Sequence, residues 1–116
     1  MPLKNGSLVT RGFISMKFTV NGLKWCMEYV SADNISMNND GGKFLGLTEY
    51  DKQYISIRTE LSQHLTRQTV IHELSHCFLF SYGISCDWYD EEQVCNFIGS
   101  YADQIIRITD KFMKGS

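Results

Sequence analysis

Residues 72–76 read H-E-x-x-H and carry the clearest chemistry in this sequence. Apolar residues recur at helical spacing around them, which predicts a helix with one buried stripe. Residues four apart share a helical face, with Cβ atoms about 5–6 Å apart, so His72 and His76 can each offer a nitrogen to one metal ion. Glu73 lies beside that ion, where its carboxylate can take a proton from an activated water. The pattern therefore predicts a hydrolytic zinc site.

A catalytic zinc ion usually has three protein ligands, so the two histidines are not sufficient. The extended pattern H-x-x-G-x-x-H is excluded because Leu79 and Tyr82 occupy the required positions. The remaining histidine, His64, lies two helical turns before His72, which is too far along the helix axis. A carboxylate on the next predicted helix is what remains.

Glu92 is the first candidate for the third ligand, and Glu91 is the second. The small residues Cys95 and Gly99 share a helical face with Glu92 and would let this helix approach the zinc helix closely. The alternative is that both glutamates only favour the positive end of their helix. The weaker acidic candidates are Asp87, Asp90 and Asp103.

Two β-hairpins are predicted ahead of the zinc helix. Asn21-Gly22 is a strong two-residue turn between alternating segments at 13–20 and 23–30. A second hairpin covers 44–58, with its turn at 49–52. Its second strand, 53–58, runs into the zinc helix and is the predicted edge for binding a substrate backbone by strand addition. An ordinary sheet edge is the alternative.

The predicted fold class is α+β: a small antiparallel sheet of two hairpins, then the zinc-binding helix and a second, C-terminal helix. Ser62 or Thr66 can cap the first helix and Gly83 can end it. The second helix should run from about 90 to 113, with an apolar stripe that includes Val94 and Ile98. Residues 16–113 are expected to form one domain. Residues 1–15 read as a flexible lead-in, either an upstream extension or a cloning remnant.

The composition excludes several classes of protein. The formal net charge is -2, and no basic patch supports direct contact with nucleic acid. No apolar run is long enough to cross a bilayer, and residues 1–10 lack the hydrophobic region of a secretion signal. We therefore expect a cytoplasmic protein that does not use a membrane. We also expect its four cysteines to be reduced.

Residues 69–76, followed by 92–99, resemble the ImmA/IrrE-type zinc metallopeptidases. In that family a second-helix motif, E-x-x-A-N-x-F-A, follows H-E-x-x-H. Here Cys95 stands for the first alanine, Asn96 matches, Ile98 replaces the phenylalanine and Gly99 the last alanine. The resemblance covers residues 44–110 and implies a minimal zincin-like fold. Small members of this kind are common in phages and other mobile elements.

By this resemblance the chain is expected to be a zinc-dependent endopeptidase of narrow specificity. Some family members cleave a helix-turn-helix repressor, so a protein or peptide substrate, with a transcriptional regulator as one candidate, is implied. The ligands would be His72, His76 and Glu92, and Glu73 would be the general base. The candidate transition-state donors are Tyr82 and Tyr89, with Tyr54 and His64 as further residues of suitable type.

Two other interpretations are compatible with the sequence. The first is a zinc-containing protein that binds a regulator with little or no turnover. The second is an α+β domain without a metal, in which every position of the H-E-x-x-H pattern occurs by accident. Replacing Glu73 by Gln separates the first interpretation from a peptidase, because only a peptidase needs the carboxylate.

Overall fold

The computed structural model describes residues 15–33, 38–39, 42–84 and 90–115. Within these ranges the strands are β1 (Ser15–Val20), β2 (Leu23–Val30), β3 (Asn38–Asn39), β4 (Gly42–Lys43), β5 (Gly46–Glu49) and β6 (Tyr54–Arg58). The helices are α1 (Gln63–Ser81) and α2 (Glu91–Gly115). This order confirms the predicted α+β layout.

The main sheet has the strand order β1-β2-β6-β5. The hairpins β1–β2 and β5–β6 are antiparallel, as predicted, and the Asn21-Gly22 turn has positive φ at both residues (48° and 82°). The hairpins meet through a parallel pairing of β2 with β6, so the sheet is mixed. The prediction that 53–58 forms the sheet edge is wrong, because β6 is an interior strand and the edge strands are β1 and β5.

Both helices cover one face of this sheet. The apolar residues of β2 and β6 alternate, and those on the inner face are buried: Trp25, Met27, Tyr29, Ile55 and Ile57. A stripe of α1 packs against them: Val70, Leu74, Cys77 and Phe78. The second helix contributes Ile105 and Phe112, and the ring of Phe112 stacks on Tyr29 with centroids 4.6 Å apart. The core therefore joins the middle of the sheet to α1 and to the C-terminal half of α2.

The ends of α1 follow local sequence rules. The Ser62 hydroxyl accepts the Leu65 N–H at 3.2 Å, which confirms Ser62 as the N-cap. Gly83 has φ +67°, and the Ile84 N–H donates to the Leu79 carbonyl at 2.9 Å. This backbone conformation favours glycine and ends the helix at the predicted place.

The first turns of α2 pack much less than its last turns. The Asp90 carboxylate accepts the Gln93 N–H at 2.8 Å, and the Gln93 side chain accepts the Asp90 N–H at 3.2 Å, which forms a reciprocal cap. Val94 and Ile98 are 43% and 55% exposed. The predicted apolar stripe is therefore wrong at these two residues. Neither described helix combines the length and the apolarity needed to span a bilayer.

Candidate metal centre

The two histidines of the H-E-x-x-H pattern meet on one face of α1. Their Nε2 atoms lie 3.3 Å apart, and their ring centroids lie 4.9 Å apart. Two nitrogens that each lie about 2.05 Å from a tetrahedral zinc ion are separated by about 3.3 Å. His72 is exposed and His76 is half-buried, so an ion can reach the pair from solvent. The nitrogen pair therefore has the separation that tetrahedral zinc requires.

Tyr50 is a neighbour of this pair that no sequence motif indicates. Its hydroxyl oxygen lies 3.3 Å from the Nδ1 atom of His76. Histidine ligands of metals typically donate their second ring N–H to an oxygen. This contact joins the same two kinds of atom, and the tautomer of His76 decides which of them donates. Tyr50 follows β5 directly, within the turn that leads to β6.

Glu73 belongs to the buried stripe of α1, and only 7% of its surface is exposed. The Thr48 hydroxyl donates to the Glu73 carboxylate with Oγ1 and Oε1 2.6 Å apart. Burying a carboxylate is costly unless it accepts hydrogen bonds, so this contact helps to hold Glu73 at the edge of the sheet. The carboxylate of the predicted base is thus held by a strand at the edge of the sheet.

Gly46 allows that strand to approach α1 closely. A Cβ atom at this position would lie 2.8 Å from Thr69 Cγ2 and 2.9 Å from Glu73 Cγ. Both distances are shorter than real Cβ contacts, so any side chain at Gly46 would displace Glu73 or the strand. The glycine is therefore required by packing and not by its backbone conformation.

Alternate residues of one segment thus face α1: Gly46, Thr48 and Tyr50. Successive side chains of a strand point to opposite faces, so residues at i, i+2 and i+4 share one. Gly46 gives Glu73 room, Thr48 donates to it, and Tyr50 contacts His76. A single strand and its turn therefore contact both the candidate base and one candidate ligand.

Among the described residues, no carboxylate forms a metal-binding group with the histidine pair. Glu91 and Glu92 are both exposed in the first turn of α2. Across 15–33, 38–39, 42–84 and 90–115, no group of three His, Cys, Asp or Glu side chains is arranged to hold a metal. The assignment of His72 and His76 as zinc ligands, with Glu92 or Glu91 as the third, stays a prediction.

The predicted close approach of α2 through its small residues is wrong. Cys95 is exposed, and a Cβ atom at Gly99 would meet nothing within 4 Å. A groove of about 330 Å³, lined by Leu79, Phe97 and Tyr101 among others, separates the start of α2 from the end of α1. Aromatic side chains fill the helix interface further along, so the helices cannot approach each other as closely as small residues would allow.

Two of the weaker acidic candidates, Asp90 and Asp103, lie on or next to α2. Asp90 uses its carboxylate as the cap of α2, and Asp103 is exposed on that helix. Asp87 lies outside the described residues.

The predicted transition-state donors are also dispersed. The ring of Tyr82 lies 4.6 Å from that of Tyr101, within the helix interface. Tyr54 donates to Glu28 on the outer face of the sheet, where burial and this hydrogen bond raise its pKa. His64 is exposed in the first turn of α1. Tyr89 lies outside the described residues.

No protein-family model, curated protein or solved structure matches this chain. The likeness to the ImmA/IrrE-type metallopeptidases therefore depends on the motif residues alone and stays a prediction.

Proposed function

We propose that the chain is a zinc-dependent endopeptidase of narrow specificity that hydrolyses a peptide bond in a protein partner. The observation that carries the proposal is the 3.3 Å separation of the His72 and His76 Nε2 atoms. This separation suits two ligands of one tetrahedral ion. The carboxylate of Glu73, the next residue after His72, is held by a hydrogen bond from Thr48. A transcriptional regulator is one candidate substrate, and the cytoplasm is the proposed location.

In this proposal His72 and His76 hold zinc together with Glu92, or with Glu91 as the alternative. When bound, zinc acidifies a water molecule and polarises the scissile carbonyl. The Glu73 carboxylate accepts a proton from the attacking water and returns it to the leaving amine. The Thr48 hydroxyl donates to one oxygen of this carboxylate and so keeps its direction fixed.

The proposed substrate is an extended peptide that lies along β5. Within the described part of the chain, β5 pairs only with β6, so its second edge has backbone groups without a strand partner. Such an edge can bind an extended segment through main-chain hydrogen bonds. Thr48 links this strand directly to Glu73, so a peptide bound there would pass beside the proposed base.

The metal content of the purified protein is the first test. We expect about one zinc per chain by inductively coupled plasma mass spectrometry, with loss in His76→Ala and in Glu92→Ala. Glu91→Ala is the matched control, because it removes the same charge one position away and should keep the metal. Zinc lost in Glu91→Ala but kept in Glu92→Ala would exchange the two roles. A wild-type chain without metal, even after zinc is added, would refute the proposal.

The second candidate is a zinc-containing protein that docks to a regulator with little or no turnover. The exposed apolar residues Val94 and Ile98 at the start of α2 favour a contact surface. Glu73→Gln separates the two functions, because Gln keeps an oxygen acceptor for Thr48 but cannot take a proton. A peptidase should lose about 10²–10⁴-fold in cleavage of a peptide library while keeping its zinc. Cleavage that survives the substitution would exclude Glu73 as the base.

A further inference from the structure

One further contact in the candidate site bears on how a ligand is oriented. Besides facing His72 through Nε2, His76 meets the Tyr50 hydroxyl oxygen through Nδ1 at 3.3 Å. A neutral imidazole carries one proton and one lone pair, so the two ring nitrogens cannot both act as acceptors. The partner at Nδ1 therefore influences what Nε2 can do.

A histidine side chain in water favours the tautomer with its proton on Nε2, which blocks that nitrogen as a ligand. An oxygen that accepts a hydrogen bond from the Nδ1–H group favours the other tautomer and leaves the Nε2 lone pair free. In this structure the free lone pair would point toward His72, where the proposed ion is held. Resting on the proposed zinc site, we infer that Tyr50 is a positioning residue that holds His76 in the tautomer protonated on Nδ1.

The position of Tyr50 is held by contacts that do not involve the histidines. Its ring stacks on Phe80 with centroids 4.9 Å apart and an interplanar angle of 19°. Phe80 in turn meets the edge of Trp25 at 6.0 Å, and the Trp25 indole N–H donates to the Ser81 hydroxyl at 3.0 Å. This row of rings connects Tyr50 to the buried core, so its hydroxyl is fixed although 42% of the residue is exposed.

The turn that carries Tyr50 is anchored at its other end as well. Gln53 has φ +51°, and its side-chain amide donates to the Lys24 carbonyl at 2.8 Å. The Cys26 N–H donates to the Gln53 carbonyl at 3.1 Å. The turn is thereby attached to β2. The Tyr50 hydroxyl can therefore orient the His76 imidazole without a large loss of side-chain freedom.

Tyr50→Phe tests the inference because it removes the hydroxyl and keeps the stacked ring. The tautomer of His76 is measured by long-range ¹H–¹⁵N correlation of the imidazole nitrogens in the metal-free protein at alkaline pH. We expect the wild type to carry the proton mainly on Nδ1, and Tyr50→Phe to shift population toward Nε2. Tyr101→Phe is the control, since it removes a hydroxyl in the helix interface and should leave the His76 spectrum unchanged.

Zinc affinity, measured by competition with a chromophoric chelator, is the second readout. Loss of an outer partner of a ligand histidine typically weakens metal binding by about 10–100-fold, and we expect about tenfold for Tyr50→Phe. A loss of stability alone would lower affinity without moving the tautomer, so the two measurements separate positioning from folding.

The outcomes distinguish this inference from the proposed function. A tautomer shift with weaker zinc binding supports both. A tautomer shift in a protein that binds no zinc supports the role of Tyr50 and overturns the zinc site. An unchanged tautomer in Tyr50→Phe overturns the positioning role, whatever the zinc affinity.

Discussion

The centre of α1 and the first half of α2 carry the two parts of the proposed zinc site, but they are held very differently. In α1, Glu73 is 7% exposed, and Thr48 and Gly46 of β5 pack directly against it. In the first half of α2, the side chains of Glu91 and Glu92 are exposed, and Gly99 has open space around it. The candidate base is therefore held by a sheet edge, whereas both candidates for the third ligand are exposed.

This difference separates ligands placed by one helix from a ligand that depends on two. His72 and His76 meet because residues four apart on a helix share a face, whatever surrounds it. A carboxylate on α2 meets them only if the two helices pack closely near His72 and His76. Since α2 is joined to the core through Ile105 and Phe112, its position near Glu92 is determined far from the site.

The anchoring of α2 by its second half can be tested by truncating Phe112, which is 1% exposed. Phe112→Ala removes the stack on Tyr29 and leaves a cavity, so we expect a loss of about 3–5 kcal/mol in the free energy of unfolding. Ile98→Ala is the control in the first half, and it should change stability by less than about 0.5 kcal/mol because Ile98 is mostly exposed. Urea denaturation measures both. Equal losses in the two variants would contradict the described asymmetry of α2.

Replacing Gly46 or Gly99 by alanine should change stability by less, and the two changes should have opposite signs. Gly46→Ala places a methyl group against Thr69 and Glu73 and should destabilise the protein by about 1–3 kcal/mol. Gly99→Ala adds a methyl group in open space on a helix and should stabilise by about 0.5–1 kcal/mol. Thermal denaturation of both variants checks the signs. A neutral Gly46→Ala would mean that β5 does not press on Glu73, and the same sign in both variants would remove the contrast.

The reactivity of the cysteine thiols compares the two helices with the smallest disturbance of the protein. Cys77 is 0% exposed in α1, and burial raises its pKa to about 12, so almost none of it is thiolate at pH 8. Cys95 is exposed on the first half of α2. Iodoacetamide at pH 8 should therefore modify Cys95 in the native protein and Cys77 only after unfolding, as read by peptide mass spectrometry. Native modification of Cys77 at a similar rate would show that α1 opens locally.

Several features could be predicted because they depend on neighbouring residues only. The Asn21-Gly22 turn, the Ser62 cap and the Gly83 stop each follow from the backbone preference or side-chain chemistry of a few residues. The alternation that buries Ile55 and Ile57 is likewise local to one strand. Such rules act over distances that a short window of sequence contains.

Other features escaped prediction because they join distant segments. The sequence predicts the strand at 53–58 at the sheet edge, but its parallel pairing with β2 places it inside. Nothing in the sequence around Tyr50 indicates its contact with His76, which lies 26 residues away. Its spacing from Gly46 and Thr48, at i+4 and i+2, is the only local pattern that suggests a shared face.

By itself the sequence determined the histidine pair, because helical spacing brings His72 and His76 together without help from the rest of the chain. Only the tertiary structure decided which strand lies beside Glu73 and which side chain contacts His76. It also decided where α2 lies, since aromatic and aliphatic side chains in its second half outweigh the small residues in its first half. Contacts between distant segments follow from the burial of the whole core, which no single motif specifies.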